Sequence, residues 1–105
     1  MFVGEVIGTL WSSRKVADLA GNRFLVIQPL DQDGVASEKV MPVVAADPVG
    51  AREGDRVMVA YGRAARNALG GNHDVPIEAA VIGIVDEGSI GGKVLAGGNP
   101  AEGPA

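Results

Sequence analysis

Residues 61–86 read YGRAARNALGGNHDVPIEAAVIGIVD and contain the two elements that decide the fold. Apolar residues spaced four apart predict a short helix over Arg63–Leu69, and Gly70 with Gly71 ends it. The run Ile77–Asp86 is rich in β-branched residues and predicts a strand. This stretch therefore predicts one short helix immediately before the last strand of a sheet.

Four further apolar runs precede this stretch. They are Phe2–Leu10, Arg23–Leu30, Lys39–Ala45 and Asp55–Tyr61. The glycine, proline and aspartate residues between the runs favour tight turns. Five strands with one helix between the fourth and the fifth predict an all-β fold, a small five-stranded OB-like Greek-key barrel.

The composition changes after Ile90. Residues 91–105 consist largely of glycine, proline and alanine, which bury too little apolar area to offset the entropy lost on ordering. We therefore expect one barrel domain over residues 1–90 and a flexible tail over residues 91–105, with Val94 and Leu95 as a weak docking point.

The composition of the 105 residues excludes several classes of protein. The chain has no cysteine and one histidine, which rules out disulfide scaffolds, cysteine nucleophiles and metal sites with two histidines. The net charge of −4 gives no electrostatic reason to bind nucleic acid or an anionic membrane. No stretch approaches the ~20 apolar residues of a membrane span, and the N-terminus lacks the pattern of a secretion signal. We expect a cytoplasmic protein.

Two polar loops resemble functional sites but lack the groups that such sites need. Asp31-Gln32-Asp33-Gly34 resembles the start of a calcium loop, yet the remaining ligands are missing, which favours a hairpin turn. His73 beside Asp74 resembles a base with its orienting carboxylate, but no nucleophile accompanies it, which favours a solvated histidine. We therefore expect no catalytic residue, no metal site and no cofactor, and hence no enzyme.

The last strand does not alternate between apolar and polar residues as a strand of a solitary small barrel should. One of its faces carries Ala79, Val81, Gly83 and Val85, and the other carries Ala80, Ile82 and Ile84. The run Phe24–Ile27 is apolar on both faces as well. A chain this short has no second layer of helices, so other copies of the same protein would bury the outer faces most simply. This places Ala79, Val81 and Gly83 at subunit contacts, unless the small residues only fill a crowded barrel interior.

Trp11 and Arg14 follow the first strand and are of the residue types that most often anchor interfaces. The pattern predicts subunit contacts at both residues. The alternative is that Trp11 covers one end of the barrel while Arg14 is solvated.

The segment Gly62-Arg63-Ala64-Ala65-Arg66 places two arginines in the predicted first helical turn, where the helix dipole disfavours positive charge. An acidic side chain of another subunit could compensate. Alternatively, the guanidinium groups and backbone amides attract an anion, or both arginines are solvated.

Seven segments, in register and with little insertion, together resemble the EutN/CcmL family of bacterial microcompartment vertex proteins. They are Val3–Thr9, Ser13–Lys15, Leu25–Pro29, Ala45–Ala51, Gly54–Val59, Gly62–Arg66 and Val75–Asp86. The resemblance covers residues 1 to about 90 and implies an OB-like barrel that assembles into a pentamer. Such pentamers occupy the five-fold vertices of a shell whose facets are tiled by hexameric shell proteins, so it implies a structural role in a microcompartment shell in the cytoplasm.

The resemblance also implies positions for individual residues. Gly62–Arg66 would lie near the subunit interfaces and the five-fold axis, and the last strand would lie within the subunit contacts. Family members often have serine where this chain has Arg63. Five arginines near one axis would repel one another unless paired or hydrated, and they could favour anions or narrow the opening.

A binding module for nucleic acid or another ligand on the same OB-like barrel is the alternative function. Nucleic-acid binding would need a basic groove with stacking aromatic residues. This chain is acidic and has four aromatic residues, which favours the structural role.

Overall fold

Five strands close into a barrel in the order β1-β2-β3-β5-β4, the order of an OB-like Greek key. This computed structural model describes residues 1–19, 21–31, 33–37, 39–70, 75–90 and 93–96. The barrel strands are β1 (Phe2–Leu10), β2 (Phe24–Pro29), β3 (Val43–Ala46), β4 (Arg56–Tyr61) and β5 (Ala79–Ile84). A 3-10 turn covers Ala17–Leu19, and helix α1 (Gly62–Ala68) connects β4 to β5. The predicted fold class is confirmed.

The barrel interior is filled by aliphatic side chains from all five strands. The largest fully buried residues are Val6, Leu25, Ile27, Val57, Val59 and Val81. Strand β2 alternates between half-buried and fully buried residues, so Leu25 and Ile27 point into the core while Phe24 and Val26 keep part of their surface outside. The outer face of β2 therefore stays apolar and partly open to solvent.

Strand β3 begins later than the predicted run Lys39–Ala45. The Gln28 side-chain amide donates to the carbonyl oxygens of Ser37 (2.6 Å) and Val40 (2.9 Å), which holds the preceding segment in a loop beside β2. Pairing with β2 starts at Val43, opposite Ile27. The prediction was wrong at the N-terminal end of β3. The Gln28 side chain of β2 binds the Val40 carbonyl oxygen, a backbone group that a longer β3 would use.

Described strands lie on both sides of the predicted boundary at residue 90. Strands β6 (Glu87–Ile90) and β7 (Lys93–Ala96) pair in antiparallel fashion as a separate two-stranded sheet. The domain boundary at residue 90 and the flexible tail stay predictions, and backbone pairing with β6 is what the structure adds for Lys93–Ala96. Residues 97–105 lie outside the described part of the chain.

Asp47 fastens the loop after β3 to the start of β2. Its carboxylate is buried and accepts hydrogen bonds from the backbone amides of Val49 (2.9 Å), Gly50 (3.0 Å) and Ala51 (2.7 Å). The Arg23 guanidinium donates to the same carboxylate at 2.9 Å. A buried charge with this many partners fixes the loop at one end of the barrel.

Strands β1 and β2 approach so closely at Gly4 that a side chain there has no room. A Cβ built on Gly4 would overlap the Ile27 Cγ2 methyl group and lie 2.9 Å from the Gln28 carbonyl oxygen. On the same strand, a Cβ on Gly8 would meet Val26 at 3.8 Å, an ordinary contact distance. Gly4 is therefore required by packing, whereas Gly8 is not.

We expect Gly4→Ala to lower the free energy of unfolding by about 1–3 kcal/mol, because the added methyl group forces β1 and β2 apart. The matched control Gly8→Ala should change it by less than about 0.5 kcal/mol. Chemical denaturation at one fixed protein concentration measures both values. Equal losses in the two variants would contradict the packing account of Gly4.

Candidate functional site

Helix α1 covers the outer face of β5, and this changes the interpretation of that strand. Ala60, Ala65 and Ala80 form a second buried cluster between the helix and strands β4 and β5, with Leu69 and Ile82 packed against it. The absence of alternation in β5 therefore has a cause within the subunit, because the barrel core covers one face and α1 covers the other. The expectation that another copy buries the outer face of β5 is wrong where α1 lies.

Two residues predicted at subunit contacts belong to the barrel's own core. Ala79 and Val81 lie among the buried residues inside the barrel, and Val81 has no accessible surface. The Val81 side chain has no surface with which to touch another subunit, so the prediction is wrong for Val81, whereas Ala79 is 3% exposed and stays a predicted contact. Gly83 is half-buried on the outside opposite Met58, and it remains a candidate contact.

The predicted segment Gly62-Arg63-Ala64-Ala65-Arg66 begins the helix, and its residues have different environments. Gly62 has a positive φ of 58° and donates its amide to the Glu78 carbonyl oxygen at 2.8 Å. Arg63 and Ala64 are exposed, whereas Ala65 is fully buried against the sheet. The candidate surface of this segment therefore consists of Arg63 and Ala64, with parts of Gly62 and Arg66.

Arg66 is compensated within its own subunit. The helix has seven residues, so Arg66 falls in its last turn, where the dipole favours positive charge. Its guanidinium donates to the Glu78 carboxylate at 3.1 Å and to the Ile77 carbonyl oxygen at 3.3 Å. The prediction that both arginines lie in the first turn is wrong for Arg66. Arg63 does lie there, and it forms no ion pair with any residue that the structure describes.

An open apolar groove of about 530 Å³ lies outside the barrel, between the segment after β1 and the segment that leads into β5. We call this feature the seam groove. Its walls include Trp11 and Arg14 on one side and Ile77 with Glu78 on the other, and Val44 forms part of its floor. Both sequence-predicted anchors, Trp11 and Arg14, thus line one surface.

The exposure of the groove residues favours a contact surface over a barrel end cap. Trp11 is 89% exposed and Val44 is 51% exposed. An indole with this much accessible surface does not cover the end of the barrel in the isolated subunit. The Lys15 ammonium is held by the Ser12 carbonyl oxygen at 2.8 Å, whereas the Arg14 guanidinium has no partner among the described residues.

Sequence reasoning missed the other half of the groove. Val44, Ile77 and Glu78 come together because β3 pairs with β5, through the parallel pair Ala46 and Ala80. The signal that could have found them is the strand order of the predicted barrel, which places the third strand beside the fifth.

Of the two polar loops singled out in the sequence, the structure describes Asp31, Asp33 and Gly34 of the first. The Asp31 carboxylate accepts hydrogen bonds from the amides of Asp33 (2.8 Å) and Val35 (3.1 Å), which is the geometry of a side-chain-stabilised turn. The carboxylate that would begin a calcium loop is therefore engaged with the backbone, although Gln32 lies outside the described residues. His73 and Asp74 also lie outside them. In the part of the chain that the structure describes, no helix has the length and hydropathy to cross a bilayer.

Comparison with known proteins identifies the family. Residues 1–86 match the family model described as "Ethanolamine utilisation protein EutN/carboxysome". The chain is 42% identical over 90 residues to the bacterial microcompartment shell vertex protein GrpN of Rhodospirillum rubrum (strain F11), a match that covers 82% of this chain and 93% of GrpN.

Solved structures share the fold. The structure of CcmL from Gloeobacter violaceus is similar with a TM-score of 0.81 and 37% identity, over 92% of this chain and 97% of that chain. The structure described as the GrpN pentameric microcompartment shell protein from Rhodospirillum rubrum is similar with a TM-score of 0.71 and 37% identity, over 82% of this chain and 94% of that chain. With the sequence match over residues 1–86 and the shared barrel, this chain belongs to the EutN/CcmL family.

Proposed function

We propose that five copies of this chain form a ring that closes a five-fold vertex of a bacterial microcompartment shell. The observation that carries this proposal is the 42% identity to a shell vertex protein over 82% of the chain. A barrel of the same fold occurs in a structure described as pentameric. The proposed role is structural, and the proposed location is the shell.

Ring assembly agrees with the surface of the isolated subunit. A closed ring of identical subunits needs two different faces that meet each other around the axis. The subunit exposes a large apolar groove with Trp11 at its wall, and isolated soluble domains rarely leave such a surface uncovered. The ionisable groups of this groove are Arg14, Lys15 and Glu78, two of which are held by neighbours in the same chain. This supports a contact role rather than a chemical one.

The proposed neighbours of the ring are hexameric shell proteins. Hexagonal tiles alone make a flat layer, so a closed polyhedral shell needs five-fold positions at its corners. A pentamer with flat sides fits such a corner, and its outer rim then meets the surrounding hexamers.

We further propose that Arg63 lies near the five-fold axis. Arg63 is exposed in the first turn of α1 and forms no ion pair among the described residues, so five copies would bring five uncompensated charges together. Repulsion between like charges weakens as salt screens them. Part of the ring's stability would therefore depend on ionic strength.

The first prediction concerns assembly. Light scattering coupled to size-exclusion chromatography should give a molar mass close to five chains, because the subunit's apolar groove favours association. A protein that remains monomeric at micromolar concentrations would contradict the ring.

The second prediction concerns shell closure. Shells produced without this protein should be elongated or unclosed in electron micrographs, because hexagonal tiles cannot close without five-fold corners. Restoring the gene should restore closed shells. Normal closed shells without it, in cells that have no second vertex protein, would contradict the vertex role.

The third prediction concerns the axis. We expect Arg63→Ser to make the ring less sensitive to low salt, because five positive charges are removed. The matched control is Lys39→Ser, which removes an exposed positive charge from the loop before β3, outside both α1 and the seam groove. For each variant, the protein concentration at which half of the rings have dissociated is measured at low and at high salt. Identical salt dependence of wild type and Arg63→Ser would place Arg63 away from the axis.

A further inference from the structure

A second cavity, of about 440 Å³, lies between the segment after β1 and the residues that lead into β2. We call this cavity the loop pocket. It is lined by residues 9–12, Lys15 and residues 21–24 of one subunit, and it shares Trp11 and Lys15 with the seam groove. Small-molecule sites have volumes of about 300–1,000 Å³. The loop pocket is therefore large enough for a small organic ligand.

The connection between β1 and β2 is positively charged in an acidic chain. Residues 11–23 contain three basic residues, Arg14, Lys15 and Arg23, and one acidic residue, Asp18. The whole chain carries a net charge of −4. A local excess of positive charge attracts a small anion to this place, whereas the acidic remainder of the surface repels a long polyanion. The charge pattern therefore favours a small anionic ligand over a nucleic-acid strand.

Lys15 and Arg23 contribute different groups to the loop pocket. Lys15 is exposed, and its ammonium group donates to the Ser12 carbonyl oxygen at 2.8 Å, its one acceptor among the described residues, which leaves two N–H donors. The Arg23 guanidinium binds the Asp47 carboxylate and the Ala51 carbonyl oxygen through Nη1, and 43% of the side chain is exposed. Because Asp47 neutralises Arg23, Lys15 supplies the net positive charge and Arg23 supplies N–H donors held in place.

Two of the four aromatic residues of the chain, Trp11 and Phe24, line the loop pocket. The Trp11 side chain is largely exposed, and Phe24 is half-buried at the start of β2. An accessible indole is a stacking surface for a planar ring such as a nucleobase. A nucleic-acid strand needs a row of such surfaces. One indole and one ammonium group in the same pocket match the base and the phosphate of a single nucleotide.

We propose that the loop pocket binds a nucleoside monophosphate, with the base stacked on Trp11 and the phosphate held by Lys15 and Arg23. The inference goes beyond the proposed vertex role. It does not depend on the ring, because the lining residues belong to one subunit. The connection between β1 and β2 then provides a ligand site on a protein whose proposed role is structural.

Trp11 is the one tryptophan of the chain, so its fluorescence reports directly on the loop pocket. We expect adenosine monophosphate to quench this fluorescence until the signal saturates, with isothermal calorimetry as a second readout. Adenosine and inorganic phosphate should each bind at least about tenfold more weakly, because each lacks one part of the proposed contacts. Either compound binding as tightly as adenosine monophosphate would overturn the assignment to a nucleoside monophosphate.

Substitutions test the two proposed contacts separately. Lys15→Gln should weaken the binding of adenosine monophosphate at least about tenfold, because it removes the net positive charge of the pocket. The matched control is Lys39→Gln, which removes an exposed positive charge from the loop before β3 and should bind as the wild type does. Trp11→Leu removes the stacking surface and should also weaken binding, measured by calorimetry because the fluorophore is lost. Circular dichroism checks that the variants fold.

The outcomes separate this inference from the ring. It is overturned if the wild-type protein shows no saturable binding, or if Lys15→Gln binds adenosine monophosphate as tightly as Lys39→Gln. Light scattering on the same samples gives the molar mass. A monomer that binds the nucleotide overturns the ring alone, and a ring that does not bind it overturns this inference alone.

Discussion

The barrel closes where β3 meets β5, and in the described register this closure consists of one parallel pair, Ala46 with Ala80. Both residues are fully buried although neither lies among the large side chains of the core. The small size of Ala80 lets α1 pack directly over β5 through Ala65. A larger side chain at Ala80 would push the helix away, and one at the fully buried Ala46 would disturb the packing around the strand pair. The helix, the second cluster and the groove all depend on this junction.

The same junction explains why one face of the subunit remains incomplete. Because β3 and β5 overlap at Ala46 and Ala80 alone, the rest of the β3 edge faces outward beside Val44. Natural proteins usually cover or blunt such an edge, since unpaired backbone groups next to apolar surface promote association. Here the edge lies in a groove that remains open in the single subunit.

The arginines near the junction of β3 and β5 differ in whether they have a partner within the subunit. Arg66 is tied to Glu78 and to the Ile77 carbonyl oxygen, which connects the last turn of α1 to the entry of β5. Arg63 and Arg14 have no such partner among the described residues. An ion pair with an exposed acid such as Glu78 contributes little stability by itself, so its main effect here is to orient the helix. In the proposed ring, Arg63 and Arg14 are the charges of this region that have no partner among the described residues of their own subunit.

The sequence by itself determined the number of barrel strands, their approximate positions and the short helix before the last one, because turn residues and apolar runs are local signals. It also determined the family, since seven segments keep their order and spacing. Only the tertiary structure decided what each apolar face contacts. Ala79 and Val81 belong to the barrel core, Ala65 and Ala80 belong to one buried cluster, and Val44 and Glu78 line the same groove. These outcomes depend on which strands become neighbours, and pairing between residues more than thirty positions apart is fixed by barrel closure and not by any local pattern.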